Sequence, residues 1–140
     1  SGHIAFYLKK EKIIFTGDTL FSLGCGRIFE GTYQQMFDSL NKIKDLPEDT
    51  KIYCWHEYTK KKLEFCLKFD PNNVYLKDKK KFVEKMIKEK KPTIPSTIKD
   101  ETKTNIFLRY DDPDVKDTLN LKKGSDLEIF TKLRDLKDNF

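Results

Sequence analysis

Two side chains with metal-binding chemistry each follow a short apolar run. Asp18 comes after Ile13–Thr16 and a glycine, and His56 comes directly after Lys51–Trp55. A carboxylate has two oxygens and can bridge two cations, and neutral imidazole is a common ligand of zinc and iron. Active sites are often built where strands end at one rim of a sheet. An Asp after a strand can also cap the next turn, and an isolated His is often structural, so the residue types alone leave both interpretations open.

Cysteine placement offers another metal-binding pattern. Cys54 lies two residues before His56 and would face the same side of a strand, so a Cys54–His56 zinc pair is an alternative. With Cys25 and Cys66 the chain has three cysteines, an odd count at spacings that suit no disulfide framework. This usage is typical of a reducing compartment and predicts a cytoplasmic protein.

A basic pair near the C-terminal end could bind an anion. Arg134 and Lys137 are three residues apart, so on a helix they share a face. Such a pair can hold a carboxylate, with Arg suited to bidentate contact. The alternative is two solvated charges, the usual outcome for a basic pair.

An α/β portion is predicted over residues 1–57. Ile4–Leu8, Ile13–Thr16 and Lys51–Trp55 are typical of strands, the first two forming a hairpin. The glycines of Phe21–Gly31 predict a loop. A capping-box pattern at Thr32 predicts a helix to about Asp45. Its apolar face contains Met36, Phe37, Leu40 and Ile43.

The second portion, residues 58–140, is predicted to be all-helical. The first expected helix runs from Thr59 to about Phe69, and Asp70–Asn73 breaks it. A basic helix follows the break to about Lys91, and further helices are expected over Asp114–Leu121 and from Ser125 almost to the last residue. Pro92–Thr104 contains two prolines and is predicted to be irregular.

Charge and composition limit the function classes. Charged residues make up 36% of the chain and apolar residues 37%, while 18 aromatic side chains provide area for a core. The net charge of +5 suits an acidic small molecule, nucleic acid or an anionic surface. No apolar run approaches membrane-spanning length, so no membrane partner is expected. The Lys-rich stretch Lys77–Lys91 keeps a nucleic-acid-binding module as an alternative, although a solvated helix face explains it equally and no recognised nucleic-acid motif is present.

Four segments carry a family resemblance: Thr16–Thr32, Tyr53–Thr59, Pro92–Thr97 and Arg134–Phe140. Together they resemble the glyoxalase II family, the hydroxyacylglutathione hydrolases of the metallo-β-lactamase superfamily. The resemblance implies the C-terminal half of a metallo-β-lactamase-like αββα sandwich, followed by a helical substrate-binding domain.

The resemblance also implies a reaction and a set of roles. Asp18 would bridge two divalent metal ions, and His56 would bind the second; zinc, iron and manganese all suit these ligands. The substrate would be a glutathione thioester, S-D-lactoylglutathione, hydrolysed to D-lactate and glutathione. Glutathione would be held by Tyr58, Arg134, Lys137 and Arg27, the last standing where the family usually has Lys. Another hydrolase of the superfamily is an alternative, which the Arg134–Lys137 pair disfavours.

One departure concerns the metal ligands. The family's Thr-His-x-His-x-Asp-His motif is absent, and Asp18 and His56 are the only family ligands present. The chain is therefore expected to be the C-terminal part of such an enzyme and to have almost no activity by itself. The full enzyme would hold two divalent metal ions, whereas the two ligands present here are too few to hold a metal-bound hydroxide. The chain should pair with a missing N-terminal half, or self-associate through residues 1–57, because its strands carry apolar faces without a second sheet. The residues of those faces are Ile4, Phe6, Leu8, Ile14, Ile52 and Cys54.

Overall fold

The computed structural model describes residues 5–17, 19–26, 32–54 and 59–140. Its strands are β1 (Phe6–Leu8), β2 (Ile13–Gly17), β3 (Leu20–Phe21), β4 (Gly24–Cys25), β5 (Lys51–Cys54) and β6 (Ser96–Thr97). The larger sheet has the order β1-β2-β5-β6, and β3 and β4 form a separate two-stranded hairpin. The predicted hairpin of the first two strands is confirmed, because β1 and β2 pair antiparallel.

Strands β2 and β5 are parallel neighbours. Ile14 lies opposite Ile52, and Gly17 at the end of β2 lies opposite Cys54 at the end of β5. A parallel pair requires a crossover connection. Here helix α1 (Tyr33–Lys44) lies within that connection. Both strands therefore end at the same edge of the sheet.

Helix α1 follows the predicted capping box. The Thr32 hydroxyl accepts a hydrogen bond from Gln35 N, and the Gln35 side chain accepts one from Thr32 N. Met36, Leu40 and Ile43 are buried, as their spacing predicted. Phe37 is partly buried and meets the Tyr110 ring edge-on, with 4.9 Å between ring centres.

The second portion is mainly helical. Its helices are α2 (Thr59–Phe69), α3 (Val74–Lys88), α4 (Ile98–Thr104), a 3₁₀ turn (Ile106–Leu108), α5 (Pro113–Thr118) and α6 (Asp126–Asp138). Asn73 caps α3, and Ser125 caps α6 by accepting from Glu128 N. Within the described ranges, no helix combines the length and apolar character that crossing a bilayer requires.

Two segment predictions were wrong. The predicted loop Phe21–Gly31 contains β4 and part of β3, and this hairpin packs because Leu20 and Leu23 are fully buried. The predicted irregular segment Pro92–Thr104 contains β6 and α4, since Thr97 caps α4 by accepting from Asp100 N. Strand β6 pairs with β5, so the second portion contributes a strand to the sheet and is not all-helical.

A continuous hydrophobic core joins residues of both portions. Leu20, Leu40 and Ile52 belong to the same buried cluster as Phe107 and Phe130. The core therefore continues across the predicted division between residues 57 and 58, which stays a prediction. Ile14, Ile52 and Cys54 are buried, so the expectation that they lie uncovered was wrong. Ile4, of the same predicted set, lies outside the described residues.

Candidate functional site

The turn of the β3–β4 hairpin is fastened by side chains far along the chain. Leu23 N donates to Glu101 Oε1 at 2.7 Å, and the Cys66 thiol donates to Leu23 O at 3.3 Å. Leu23 has a positive φ of 62°, a conformation in which a bulky residue is strained. These bonds, together with complete burial of Leu23, hold it there.

Asn105 extends the same network. Its Nδ2 donates to Gly24 O at 3.0 Å and to Glu101 Oε1 at 3.2 Å. Its Oδ1 accepts from Phe107 N at 3.1 Å, which caps the 3₁₀ turn. One fully buried amide thus ties the hairpin to the turn that carries Phe107.

Arg134 of α6 binds the end of the hairpin. Its Nη1 donates to Cys25 O at 2.8 Å and to Gly26 O at 3.1 Å. Its Nη2 donates to Asp138 Oδ1 at 2.9 Å, and the guanidinium lies 5.1 Å from the centre of the Phe107 ring. Only 2% of Arg134 is exposed. The alternative that Arg134 is simply a solvated surface charge is therefore wrong.

Four consecutive residues, 23 to 26, therefore have backbone groups bound by side chains from residue 66 onward. This fastened hairpin lies in the chain between Asp18 and Arg27, the candidate metal ligand and a candidate substrate contact. Fixed backbone beside reacting groups is what a precise site requires.

Burial controls the ionisation of the groups around the hairpin. It raises the pKa of the Cys25 thiol to about 11 and that of Cys66 to about 12. It also raises the pKa of the Glu101 carboxyl. All three cysteines are free thiols. The Cys25 and Cys66 thiols are protonated at neutral pH, so they serve as packing and hydrogen-bonding groups and not as nucleophiles.

Most predicted site residues lie outside the described residues: Asp18, Arg27, His56 and Tyr58. Lys137 is described and lies partly buried on α6, with its Nζ 5.9 Å from the centre of the Phe65 ring. Arg134 and Lys137 both lower the pKa of Cys25, although less than burial raises it. The two cations therefore lie near β4.

Metal-ligating side chains do not cluster within the described part of the chain. No group of three or more His, Cys, Asp or Glu side chains there could hold a metal ion. Cys54, of the alternative Cys54–His56 pair, is buried at the end of β5.

Sequence reasoning missed Cys66, Glu101 and Asn105. Glu101 and Asn105 are four residues apart, one helical turn, but solvated helices show the same spacing. Their partners, Leu23 and Gly24, are backbone groups about 80 residues away, at sequence separations of 78 and 81. Backbone groups are present at every position, so the sequence contains no signal for such pairs.

Comparison with known proteins identifies both portions. Residues 1–56 match the family model described as the metallo-beta-lactamase superfamily. Residues 57–140 match the model described as the C-terminus of hydroxyacylglutathione hydrolase. A mixed α/β portion of the metallo-β-lactamase superfamily is thus followed by a helical C-terminal domain. The chain belongs to the hydroxyacylglutathione hydrolase family, which confirms the resemblance found in the sequence.

Similar proteins cover the whole chain but are longer. A hydroxyacylglutathione hydrolase of Pelagibacter ubique is 56% identical over 139 residues, which are 99% of this chain and 52% of that protein. The protein of that name from a Chelativorans species is 46% identical over 140 residues, which are 100% of this chain and 55% of that protein. The chain therefore spans about half the length of the curated relatives it matches.

Proposed function

We propose that the whole protein is a metal-dependent thioesterase that hydrolyses S-D-lactoylglutathione to D-lactate and glutathione. In this proposal, residues 1–57 are the C-terminal half of an αββα sandwich, and residues 58–140 form the substrate-binding domain. The family membership supports the reaction class, and the hairpin fastened by Glu101, Asn105 and Arg134 supports a precise site at its end.

The observation that carries the proposal is the parallel pairing of β2 with β5. Gly17 and Cys54 end these strands opposite each other, and the chain continues from them to Asp18 and His56. The carboxyl ends of adjacent parallel strands are where catalytic groups are commonly gathered. Asp18 and His56 are the residues that we propose hold metal.

The donor set fits divalent metal. Carboxylate and imidazole suit zinc, iron and manganese, and a carboxylate can bridge two such ions. When bound, divalent metal supplies Lewis acidity that lowers the pKa of water and polarises a carbonyl oxygen. The role of this chain's own residues is to hold the ions at Asp18 and His56 and to orient glutathione through Tyr58, Arg27, Arg134 and Lys137.

Lys137→Met tests the substrate assignment in the whole protein. Loss of a charge-assisted hydrogen bond to glutathione is expected to raise KM for S-D-lactoylglutathione about 10- to 100-fold with little change in kcat, because the contact is remote from the reacting bond. Steady-state thioester hydrolysis measures both constants. Lys132→Met, an exposed position on the same helix, is the matched control and should leave both unchanged.

Two outcomes would contradict the proposal. Absence of thioester hydrolysis by the metal-loaded wild-type protein would refute the reaction. An unchanged KM in Lys137→Met would refute the role of Lys137 while leaving the reaction standing.

We also propose that the outer face of the larger sheet is an association surface. Phe6, Leu8 and Phe15 are 64%, 45% and 42% exposed, and Phe15 stacks on Tyr53 with 5.5 Å between ring centres. Phe6 and Phe15 are directly opposite each other on β1 and β2. In the whole protein this face would pack on the second sheet of the sandwich; in the 140-residue chain it would pack on a second copy.

Sedimentation of the purified chain tests this surface. The wild-type chain should self-associate, and Phe15→Lys should shift it towards the monomer because a buried lysine in the contact costs free energy. Val74→Lys, 62% exposed on α3, is the control and should not change the distribution. A monomeric wild-type chain at high micromolar concentration would refute the association surface.

A further inference from the structure

Thr16, two residues before Asp18, is fully buried and has none of the roles assigned above. Its hydroxyl donates to Leu20 O at 2.7 Å, and Tyr53 O lies 3.4 Å from the same hydroxyl oxygen. A hydroxyl has one proton to donate, so the shorter contact is the hydrogen bond and the longer one is a weaker electrostatic contact. One buried side chain therefore joins the end of β2 both to the start of β3 and to β5.

The register of the parallel strand pair changes at this residue. Phe15 lies opposite Tyr53, whereas Gly17, two residues further on, lies opposite Cys54, only one residue further on. Strand β2 thus has one extra residue relative to β5, and that residue is Thr16. An extra residue of this kind, a β-bulge, bends its strand and redirects a side chain, and bulges are frequent beside active sites. The bulge therefore determines how the chain leaves β2 towards the candidate metal ligand.

Backbone bonds also hold the two neighbours of Asp18 in the chain. Thr16 O accepts from Thr19 N at 3.0 Å, across the two residues between them. Gly17 has a φ of 54°, a left-handed conformation that glycine adopts because it has no Cβ atom. Thr19 is buried, and its carbonyl accepts from Gly26 N at 3.1 Å, at the end of the fastened hairpin. Gly17 is therefore held by its place in the sheet, and Thr19 by two backbone hydrogen bonds.

We propose that Thr16 is a positioning residue for the metal site, whose hydroxyl keeps the chain at Asp18 in register with the end of β5. This inference rests on the proposed function, because it concerns the site where Asp18 and His56 would hold metal. A metal site requires its ligands to be placed to within about 0.5 Å. Groups that orient ligands typically change metal affinity or activity about 10- to 100-fold when they are removed. In this role Thr16 touches neither the ions nor the substrate, and it acts through the backbone next to Asp18.

Zinc binding by the whole protein provides the first test. Thr16→Val keeps the shape of the side chain and removes its donor, so it should raise the Kd for zinc about 10- to 100-fold. Thr50→Val is the matched control and should bind zinc as the wild type does. Thr50 is also fully buried, but its hydroxyl has no hydrogen-bond partner among the described residues. Competition with a chromophoric chelator measures these affinities.

Cobalt(II) in place of zinc separates positioning from simple packing. The visible absorption bands of cobalt report the geometry of its ligands, which a packing role of Thr16 would leave unchanged. Thr16→Val should shift these bands, whereas Thr16→Ser, which keeps the hydroxyl, should retain the wild-type spectrum and zinc affinity. If Thr16→Val does not fold, Thr16→Ser still decides, because a shifted spectrum in a variant that keeps the hydroxyl would overturn the inference.

Steady-state hydrolysis of S-D-lactoylglutathione gives a third readout. Thr16→Val should lower kcat about 10- to 100-fold with little change in KM, because the proposed glutathione contacts belong to other residues. Wild-type zinc affinity or a wild-type cobalt spectrum in folded Thr16→Val would overturn the inference. A lowered melting temperature together with either of these results would leave Thr16 with a packing role alone.

The outcomes also separate this inference from the proposed function. If the wild-type protein binds zinc and hydrolyses the thioester, and Thr16→Val does both equally well, the role of Thr16 is refuted and the reaction stands. If the wild-type protein binds zinc but does not hydrolyse the thioester, the reaction is refuted, and the zinc and cobalt measurements still decide the role of Thr16. If it binds no zinc, both proposals fail.

Discussion

Replacing Arg134 with methionine is expected to lower the free energy of unfolding by about 3–5 kcal/mol. The methionine keeps the apolar stem but leaves Cys25 O and Gly26 O without their donor. It also removes the guanidinium from the face of Phe107. Since small domains are stable by about 5–15 kcal/mol, this single change removes a large part of the total.

Chemical denaturation monitored by circular dichroism measures this effect. Arg134→Lys keeps the charge but cannot reproduce the planar fork, so it should recover only part of the loss. Lys132→Met, exposed on the same helix, should unfold at the wild-type denaturant concentration. If Arg134→Met has wild-type stability, Arg134 does not fasten the hairpin, and its main role would be the proposed contact with glutathione.

Asp70→Ala is expected to cost about 2–3 kcal/mol, because the mostly buried Arg109 guanidinium loses one of its two carboxylates and keeps only Asp112, whose Oδ2 lies 3.2 Å from Arg109 Nη2. Asp70 Oδ2 accepts from Arg109 Nε at 2.7 Å and from Asn73 Nδ2 at 2.9 Å. The side chains of Asp70 and Arg109 are 2% and 17% exposed. This pair joins the end of α2 to the segment that follows the 3₁₀ turn.

An exposed ion pair of almost the same length gives a direct control. Lys12 Nζ lies 2.8 Å from Asp49 Oδ2, with side chains 51% and 64% exposed. Exposed pairs contribute little, because water already solvates both charges, so Asp49→Ala should not shift the unfolding transition measurably. If Asp70→Ala and Asp49→Ala lower the denaturant concentration at the unfolding midpoint by the same amount, burial does not decide how much these ion pairs stabilise the protein.

Local signals in the sequence predicted local structure well. The capping box at Thr32 and the cap at Ser125 set the starts of α1 and α6, because the bonds that define a cap lie within four residues. The apolar run Ile13–Thr16 predicted β2 within one residue of its observed end. In each case the residues that determine the element lie inside it.

The elements that were missed depend on distant partners. Strand β6 has only two residues and is a strand because β5 pairs with it. The hairpin was read as a loop from its glycines, although Glu101, Asn105 and Arg134 hold its backbone. Asp18 and His56 came from the family resemblance, because a single Asp or His has many structural roles.

The fastened hairpin has a consequence for the order in which the protein forms during synthesis. The ribosome releases the chain from its N-terminal end, at about 5–20 residues per second. Residues 25 and 26 leave the ribosome before their partner Arg134, which follows 109 and 108 residues later. Between those moments the carbonyl groups of Cys25 and Gly26 lack their donor, whereas Cys66 and Glu101, which bind the backbone of Leu23, are synthesised before Arg134. The end of this hairpin is therefore completed only after α6 has been synthesised, and a nascent chain stalled before α6 would lack the two bonds from Arg134.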